Sequence, residues 1–519
     1  MRGILRQETG DPNSPMKIPK WLRSTVRWLL FGAAGLALLV VGFYTVERWR
    51  GDRAWREYAA QSAARGEVLD ALPTPSTLAP ERNFMKTPVL DRWMFGPLSD
   101  PAYDQFLKDI HGKQISGPRF GTVNSAGWAV GDRVDLGKTA EVWFKKPKSG
   151  KEEPASPSEV SAKEFLALLA PMDPLLGELR GAAAARPDSE LVRPTAISQK
   201  DPLKTPSARF QLVRMVAWGL VMDGCAALAE GRTEEAFGDT LAGLKLSRGL
   251  AEMPDPTLVE SMVGVVATRI VLQPLWEGCQ RHAWSDSQLK QFQDELALIH
   301  PMESLSRGLR TDRASFLLTL DHASARVFED RPWLFWVRWP RGWIQQSKVA
   351  YCTCMKEFID IMDSAGTPGF LKRKADGLAR VEAVFESADY WANLSTYLGL
   401  IAVPAVQKLQ FHAARADASV ALARTACALE RHRLAHGSYP EALAELVPAY
   451  LPEVPRDVID GQPLRYRRGA DGSFKLWSIG MDGRDDNGTP AKTQEADTTG
   501  DWVWLQQFPA AQETVGRSR

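Results

Sequence analysis

The sequence predicts a mainly α-helical protein with a single transmembrane helix near its N-terminus and a small C-terminal α+β domain that contains an antiparallel sheet. Residues 28–46 carry no charge, and the apolar residues of 159–405 recur at helical spacing almost throughout. Two alternating runs within 464–479 are separated by turn-forming residues. The predicted parts are a short tail (1–27), the transmembrane helix (28–46), an irregular membrane-proximal region with a linker (47–157), an irregular helical-repeat-like body (158–404) and the C-terminal domain (405–519).

The composition is that of an ordinary globular protein. The chain has 519 residues, 44% of them hydrophobic, and a net charge of +1. This charge balance gives no reason to expect a nucleic-acid partner. Its five cysteines are widely spread and include no Cys-x-x-Cys pair, which argues against a disulfide framework and against a zinc site.

The run from Trp28 to Val46 is long enough to cross a bilayer. Its nineteen residues would span about 28 Å as a helix, close to the thickness of the hydrocarbon core. Charged residues follow the run where a signal peptide would have a small-residue cleavage site, so we interpret it as a retained anchor. Residues 47–66 look helical and continue from it. Aromatic rings that favour the membrane interface stand near both ends: Trp21, Trp28, Tyr44 and Trp49.

The anchor's orientation does not follow from charge, because basic residues flank both of its ends.

The middle of the chain is predicted to be helical after a weakly patterned stretch. Glu141–Phe144 is expected to form a short strand, and residues 145–157 read as a linker. An irregular array of helices would offer a concave surface to a protein partner, and a closed bundle without a groove is the alternative. The candidate helices lie near 159–185, 207–230, 233–253, 255–281, 285–299, 302–329, 344–364 and 370–403.

Residues 332–344 interleave five aromatic residues with two arginines. Such a segment suits a membrane surface or a partner protein. Burial as a loop against the helices is the alternative, and it is the more common outcome for clustered aromatic residues.

The C-terminal part shows a clear order of local signals. A helical run from Phe411 ends at Gly437, because glycine accepts the left-handed conformation of a helix C-terminus. Ser438–Glu441 has the pattern of a capping box that would start a second, short helix. Leu464–Arg468 and Phe474–Ile479 are expected to form a β-hairpin. An Asp/Gly-rich loop, 478–488, follows.

This order resembles the globular domain of the major pseudopilin of bacterial type II secretion systems. The shared motifs are Gly-x-Tyr-Pro after a long helix, the link Pro455-Arg456-Asp457, the hairpin, the Ser-x-Gly-x-Asp-Gly loop and an Asp-x-x-Gly-x-Trp-like end. The likeness covers less than a fifth of the chain. The remainder resembles bacterial membrane-anchored helical proteins, and that resemblance implies no activity.

In the pseudopilin family the aspartate loop binds one calcium ion. The resemblance therefore implies Asp482 and either Asp497 or Asp501 as ligands, with Asp485 and Asp486 as neighbours. Carboxylate oxygens are ligands that calcium prefers, although their spacing here does not match an EF-hand. A solvated Asp/Gly turn is the alternative.

Calcium binding would place the bulk of the chain outside the cytoplasm, where calcium reaches the concentrations that such sites need. The expected location is then the cell inner membrane, crossed once, with most of the chain in the periplasm.

The sequence shows few signs of an enzyme. It contains no Walker loop, Gly-x-Ser-x-Gly elbow or His-Glu-x-x-His, so we expect a non-enzymatic protein that acts through protein contacts near a secretion or envelope assembly, without a small-molecule substrate. His432 and His436 stand four apart, but Arg433 occupies the place of the usual glutamate, and packing or solvent exposure is the simpler interpretation. The alternative function is a metal-dependent hydrolase that combines the C-terminal aspartates with a histidine of this helix.

Overall fold

The computed structural model describes residues 20–69, 78–95, 127–144, 160–192, 210–329, 340–386, 409–490 and 499–504, together with residues 396, 400 and 403. Most of these residues are helical. The α-helices are Lys20–Ala64 (α1), Pro88–Phe95 (α2), Leu136–Phe144 (α3), Ala162–Leu169 (α4), Asp173–Ala185 (α5), Phe210–Ala229 (α6), Thr233–Ala251 (α7), Leu258–Gln280 (α8), Asp286–Leu296 (α9), Pro301–Glu329 (α10), Arg341–Asp363 (α11), Phe370–Glu386 (α12) and Leu409–His436 (α13). Short 3-10 helices include Phe84–Lys86, Gly127–Val130 and Leu443–Leu446, and the strands are Arg465–Arg468 (β1), Phe474–Ser478 (β2) and Trp502–Trp504 (β3).

Helix α1 contains the whole apolar run in one continuous helix of 45 residues. The most apolar window of α1 has none of its residues buried, and Trp28 and Leu38 are each 74% exposed. Two other segments, Leu212–Ala229 and Leu258–Gln280, are also long and apolar enough to cross a membrane, but most of their residues are buried inside the protein. Among these three candidates, α1 is the one that presents its apolar side chains outward.

The described part of the predicted body is mainly helical, and its helices lie near the predicted positions; most of the helix predicted near 370–403 beyond Glu386 lies outside the described residues. Helices α6, α7 and α8 pack against one another, and α10 packs on both α8 and α11. Local signals set several helix starts: Thr257 and Glu260 form a capping box at α8, and Ser285 and Gln288 form one at α9. The aromatic segment predicted at 332–344 lies partly outside the described residues, and α11 begins within it at Arg341.

The prediction of a strand at Glu141–Phe144 is wrong, because these residues are the last part of helix α3. Asp135 starts this helix: its Oδ1 accepts a hydrogen bond from the Lys138 amide at 2.9 Å, and its carbonyl oxygen accepts one from the Thr139 amide. An N-terminal cap of this kind outweighs the strand preference of a Val-Trp-Phe run.

The turn after α13 differs in part from its prediction. Gly437 has the expected left-handed conformation, with φ of 76°. The prediction of a capping box at Ser438–Glu441 is wrong, because the next helix is a 3-10 turn that begins at Leu443. The Ala442 amide, just before this turn, donates to the Glu445 side chain. The Ser438 carbonyl oxygen instead pairs with His432 of α13, so these residues close the helix rather than start the next one.

The predicted hairpin is confirmed. β1 and β2 pair antiparallel with Arg468 opposite Phe474, and β3 adds to the other side of β2, giving the order β1-β2-β3. Leu476 and Trp504 are buried where the sheet packs on α13. One hydrophobic cluster joins this sheet to α6, α7 and α8, so the residues on the two sides of the predicted boundary at 404 share a core.

Candidate metal site

The aspartate loop is built on a buried carboxylate that precedes the sheet. Asp457 has no exposed surface and accepts hydrogen bonds from the Ile459 and Ile479 amides at 3.0 Å each and from the Ser478 hydroxyl at 2.8 Å. Burial raises the pKa of Asp457, and these hydrogen bonds and Arg465 oppose the rise. Asp457 therefore fixes the end of β2, from which the loop departs.

Arg465 of β1 joins this carboxylate to the loop. Its guanidinium lies 3.0 Å from Asp457, pairs closely with Asp460 and lies 3.9 Å from Asp485. The other oxygen of Asp485, Oδ1, accepts from the Trp477 indole at 2.9 Å and from the Asn487 amide at 3.0 Å. Asp485 is thus an acceptor that holds the loop on the sheet.

Asp501 organises the far side of the loop. It is 1% exposed, and its carboxylate accepts from the Asp486 amide at 3.3 Å and the Gly488 amide at 2.7 Å. Its own amide donates to the Thr489 carbonyl oxygen at 2.9 Å. Asn487 and Gly488 both have positive φ, 56° and 73°, which lets successive amides turn towards Asp501.

Asp482 lies at the start of the loop, close to the same returning segment. Its carboxylate accepts from the Arg484 amide at 3.1 Å and from the Gly500 amide at 3.3 Å. Gly480 is required here, because its φ is 69° and a Cβ would lie 2.4 Å from the Gly500 carbonyl oxygen. The loop and the residues before β3 are therefore in direct contact.

Of the five acids of the predicted site, Asp482, Asp485 and Asp486 belong to this loop, and Asp501 is hydrogen-bonded to it. Asp497 lies outside the described residues. Burial raises the pKa of Asp501, and the nearby carboxylates of Asp485 and Asp486 raise it further. The hydrogen bonds that Asp501 accepts from the two backbone amides lower it. Excess negative charge of this kind suits a hard cation.

The described part of the chain contains no group of three His, Cys, Asp or Glu side chains arranged to hold a metal ion. Carboxylates are ligands that calcium prefers, but both oxygens of Asp482 and both oxygens of Asp501 accept hydrogen bonds from backbone amides.

His432 and His436 of α13 are distant from this loop. Asp501 lines a narrow cleft with Arg415 and Ser419, and the cleft has space for about one water molecule. His432 follows Ser419 by thirteen residues, about 20 Å along the helix. The rings of His432 and His436 lie at the other end of α13, with their centroids 4.3 Å apart and their planes tilted by 36°. This separation argues against a site that combines the aspartates with either histidine.

The sequence analysis missed the roles of Asp457 and Arg465. The Pro-x-Asp link was the available signal, but its long-range partners were not predictable from it. A second buried carboxylate, Glu430, was also missed: it accepts from Tyr439 of the Gly-x-Tyr-Pro motif and lies 3.0 Å from Nδ1 of His282. These groups fix the C-terminal residues to the helical body.

Comparison with protein-family models, with curated proteins and with solved structures finds no match to this chain.

Proposed function

We propose that this chain is a membrane-anchored, non-enzymatic protein of the cell inner membrane, whose periplasmic helical body and pseudopilin-like, calcium-binding C-terminal domain act through contacts with a protein partner. The observation that carries the proposal is the exposed apolar surface of α1. An uncharged run of nineteen residues whose most apolar window has no buried residue would be costly in water and stable in lipid.

The remainder of α1 supports an anchor that belongs to the body. After the apolar run, one face of the helix packs along α11, with Gly51 and Ser62 buried in the contact. The Trp55 ring lies 5.1 Å from the Lys348 ammonium, a cation–π contact between the two helices. The anchor and the body are therefore joined by packing as well as by the chain.

The C-terminal loop supports the calcium component. Asp485 and Asp486 repel the buried Asp501, and a divalent cation would relieve that repulsion. Asp482 and either Asp501 or Asp497 are the side chains that we expect to hold the ion, with Asp485 and Asp486 as neighbours. Calcium there would neutralise the loop and stabilise its contact with the sheet.

Membrane integration is tested by alkaline carbonate extraction of the full-length protein expressed in bacteria. We expect the wild type in the membrane pellet, and we expect Leu36→Arg/Leu38→Arg in the supernatant, because each arginine at the centre of a span costs about 2.5–3.5 kcal/mol. The matched control is Val259→Arg/Leu434→Arg, which alters side chains that are 55% and 44% exposed on other helices and should remain in the pellet. Extraction of the wild type by carbonate would contradict the anchor.

Calcium binding is tested by thermal melting of the full-length protein in detergent. Calcium at a hundred times its dissociation constant should stabilise the folded state by about 2.7 kcal/mol. Asp482→Asn/Asp501→Asn should lose this response, and Asp471→Asn, in the exposed turn of the hairpin, should retain it. If calcium at about 10 mM leaves the melting midpoint of the wild type unchanged, the site assignment is wrong. The same conclusion holds if magnesium raises the midpoint as much as calcium does.

A further inference from the structure

The backbones of α1 and α11 touch where the two helices cross. A Cβ on Gly342 would lie 1.8 Å from the Glu47 carbonyl oxygen, and one on Gly51 would lie 2.1 Å from the Gly342 carbonyl oxygen. No side chain fits at either position without moving a helix. The first turn of α11 is therefore held directly against α1.

This contact reaches the apolar run itself. The Phe43 ring packs edge-on against Trp343, with ring centroids 6.0 Å apart. The Trp343 indole donates to Glu47 at 2.9 Å, and Gln346 donates to the same oxygen at 3.2 Å. Glu47 is 7% exposed, so a carboxylate just beyond the apolar run is satisfied by α11.

The geometry sets the level of Trp343 relative to a bilayer. Phe43 precedes Val46, the last residue of the apolar run, by three residues, or about 4.5 Å along the helix. If residues 28–46 span the hydrocarbon, Trp343 lies at the boundary with the headgroups, the level at which tryptophan is enriched. Its ring contacts Phe43 on the lipid side and its N–H is directed to Glu47 on the aqueous side, which matches the polarity of that boundary.

Two exposed cations stand at the same level. Arg341, the first residue of α11, is exposed, and so is Arg48 of α1, whose side chain is 65% exposed and lies 3.6 Å from Asp52. Guanidinium groups at this depth are placed to contact lipid phosphates. The crossing of α1 and α11 thus brings an apolar ring pair and two basic side chains to one level, since Arg341 adjoins Gly342, which touches the backbone of Glu47 and Arg48.

We propose that this surface, formed by Arg341, Trp343, Phe43 and Arg48, binds the membrane interface and seats the helical body directly on the bilayer. The proposal rests on the proposed anchor. Its occupant is lipid, because the surface is continuous with the exposed apolar face of α1. The body is then held at a fixed height above the membrane instead of hanging from a flexible stalk.

The test uses an environment-sensitive fluorophore attached to single introduced cysteines of the full-length protein in liposomes of neutral and anionic phospholipids. The five native cysteines are buried, so surface positions can be labelled selectively. Leu36→Cys reports on the anchor, Arg341→Cys on the proposed seat, and Lys290→Cys, 57% exposed on α9, on the body away from α1. The quenchers are lipids that carry a nitroxide either in the headgroup region or deep in the acyl chain.

We expect the label at 341 to be quenched by headgroup nitroxides at least several-fold more than the label at 290, and the label at 36 to be quenched by deep nitroxides. If deep nitroxides quench the label at 36 while headgroup nitroxides quench the label at 341 no more than the label at 290, the proposed anchor is supported and the proposed seat is wrong. Loss of quenching at 36 overturns both proposals. Energy transfer between copies labelled at 341, without lipid quenching there, would replace lipid with a second copy as the occupant and contradict the proposal.

Discussion

At the scale of single residues, the clearest case is a buried charge cluster in the helical body. Arg180 of α5 lies 2.7 Å from Asp223 of α6 and 2.9 Å from Asp239 of α7. Burial raises the pKa of Asp239 well above its usual value, repulsion from Asp223 raises it further, and Arg180 opposes both effects. One cation thus holds three helices together through two buried acids.

Replacing this cation should be strongly destabilising. Arg180→Met leaves the two carboxylates buried side by side, at a cost of about 3–5 kcal/mol in the free energy of unfolding. Denaturant titration of the purified protein measures this cost. Lys290→Met removes an exposed pair with Asp294 and should cost under about 0.5 kcal/mol. Equal effects of the two substitutions would show that the buried cluster has no special role.

Asp417 predicts a pH dependence of stability. Burial raises its pKa from 3.8 to about 6, with Glu303 adding to the rise, while the Met302 amide and His300 oppose it. The folded state therefore keeps this proton between about pH 4 and 6 while the unfolded state loses it, so the contribution of Asp417 to stability falls as pH rises through that range.

Asp417→Asn should remove this loss. We expect the variant to be more stable than the wild type at pH 7, by at most about 3 kcal/mol, and equal to it near pH 4. Melting midpoints across this pH range provide the measurement. Asp376→Asn is the control, because Lys372 lowers the pKa of this exposed acid and its removal should give no gain at pH 7. A gain at pH 4 as large as that at pH 7 would refute the titration argument.

At the scale of elements, the crossing of α1 and α11 depends on two glycines. Gly342→Ala must push the helices apart, since the new methyl group would meet the Glu47 carbonyl oxygen, and a cost of about 1–3 kcal/mol is typical of such overpacking. A lower melting midpoint should follow. Gly177→Ala, on the open face of α5 with nothing within 4 Å, should instead stabilise by about 0.5–1 kcal/mol. If both alanines stabilise, the helices are not in backbone contact.

At the scale of the whole molecule, the shared hydrophobic cluster bears on whether the predicted C-terminal domain unfolds separately. Trp504 of β3 is 1% exposed, and its ring lies 5.5 Å from Trp128, which in turn donates to α8 at the Arg269 carbonyl oxygen. The sheet, a connecting 3-10 helix and the helical body are therefore linked by packing on both sides of residue 404.

Trp504→Ala should consequently weaken the helical body as well as the sheet. A cost of about 3–5 kcal/mol is expected, with lower hydrogen-exchange protection throughout α6, α7 and α8. Leu434→Ala, at a side chain that is 44% exposed, is the control and should leave that protection unchanged. Loss of protection confined to residues 405–504 would mean that the predicted domain unfolds independently.

How far the sequence predicts the structure depends on how local each signal is. Helix positions in the body and the hairpin between Arg468 and Phe474 follow from residue spacing and turn chemistry within a few residues. A strand was expected at Glu141–Phe144, but these residues are helical, because the start of their helix is set by Asp135, which lies outside the run. For the aspartate loop, the motif did not predict that backbone amides would donate to the oxygens of Asp482 and Asp501.

The amino-acid sequence by itself determined the apolar helix, the helical body and the small antiparallel sheet, because periodicity, caps and glycine turns act between near neighbours. Only the tertiary structure decided which charges are buried and which are paired. Glu47 and Trp343 are separated by 296 residues, and Asp457 accepts from Ile479 across 22 residues. Such pairs depend on how whole elements pack, since a buried carboxylate is stable only where folding brings donors to it.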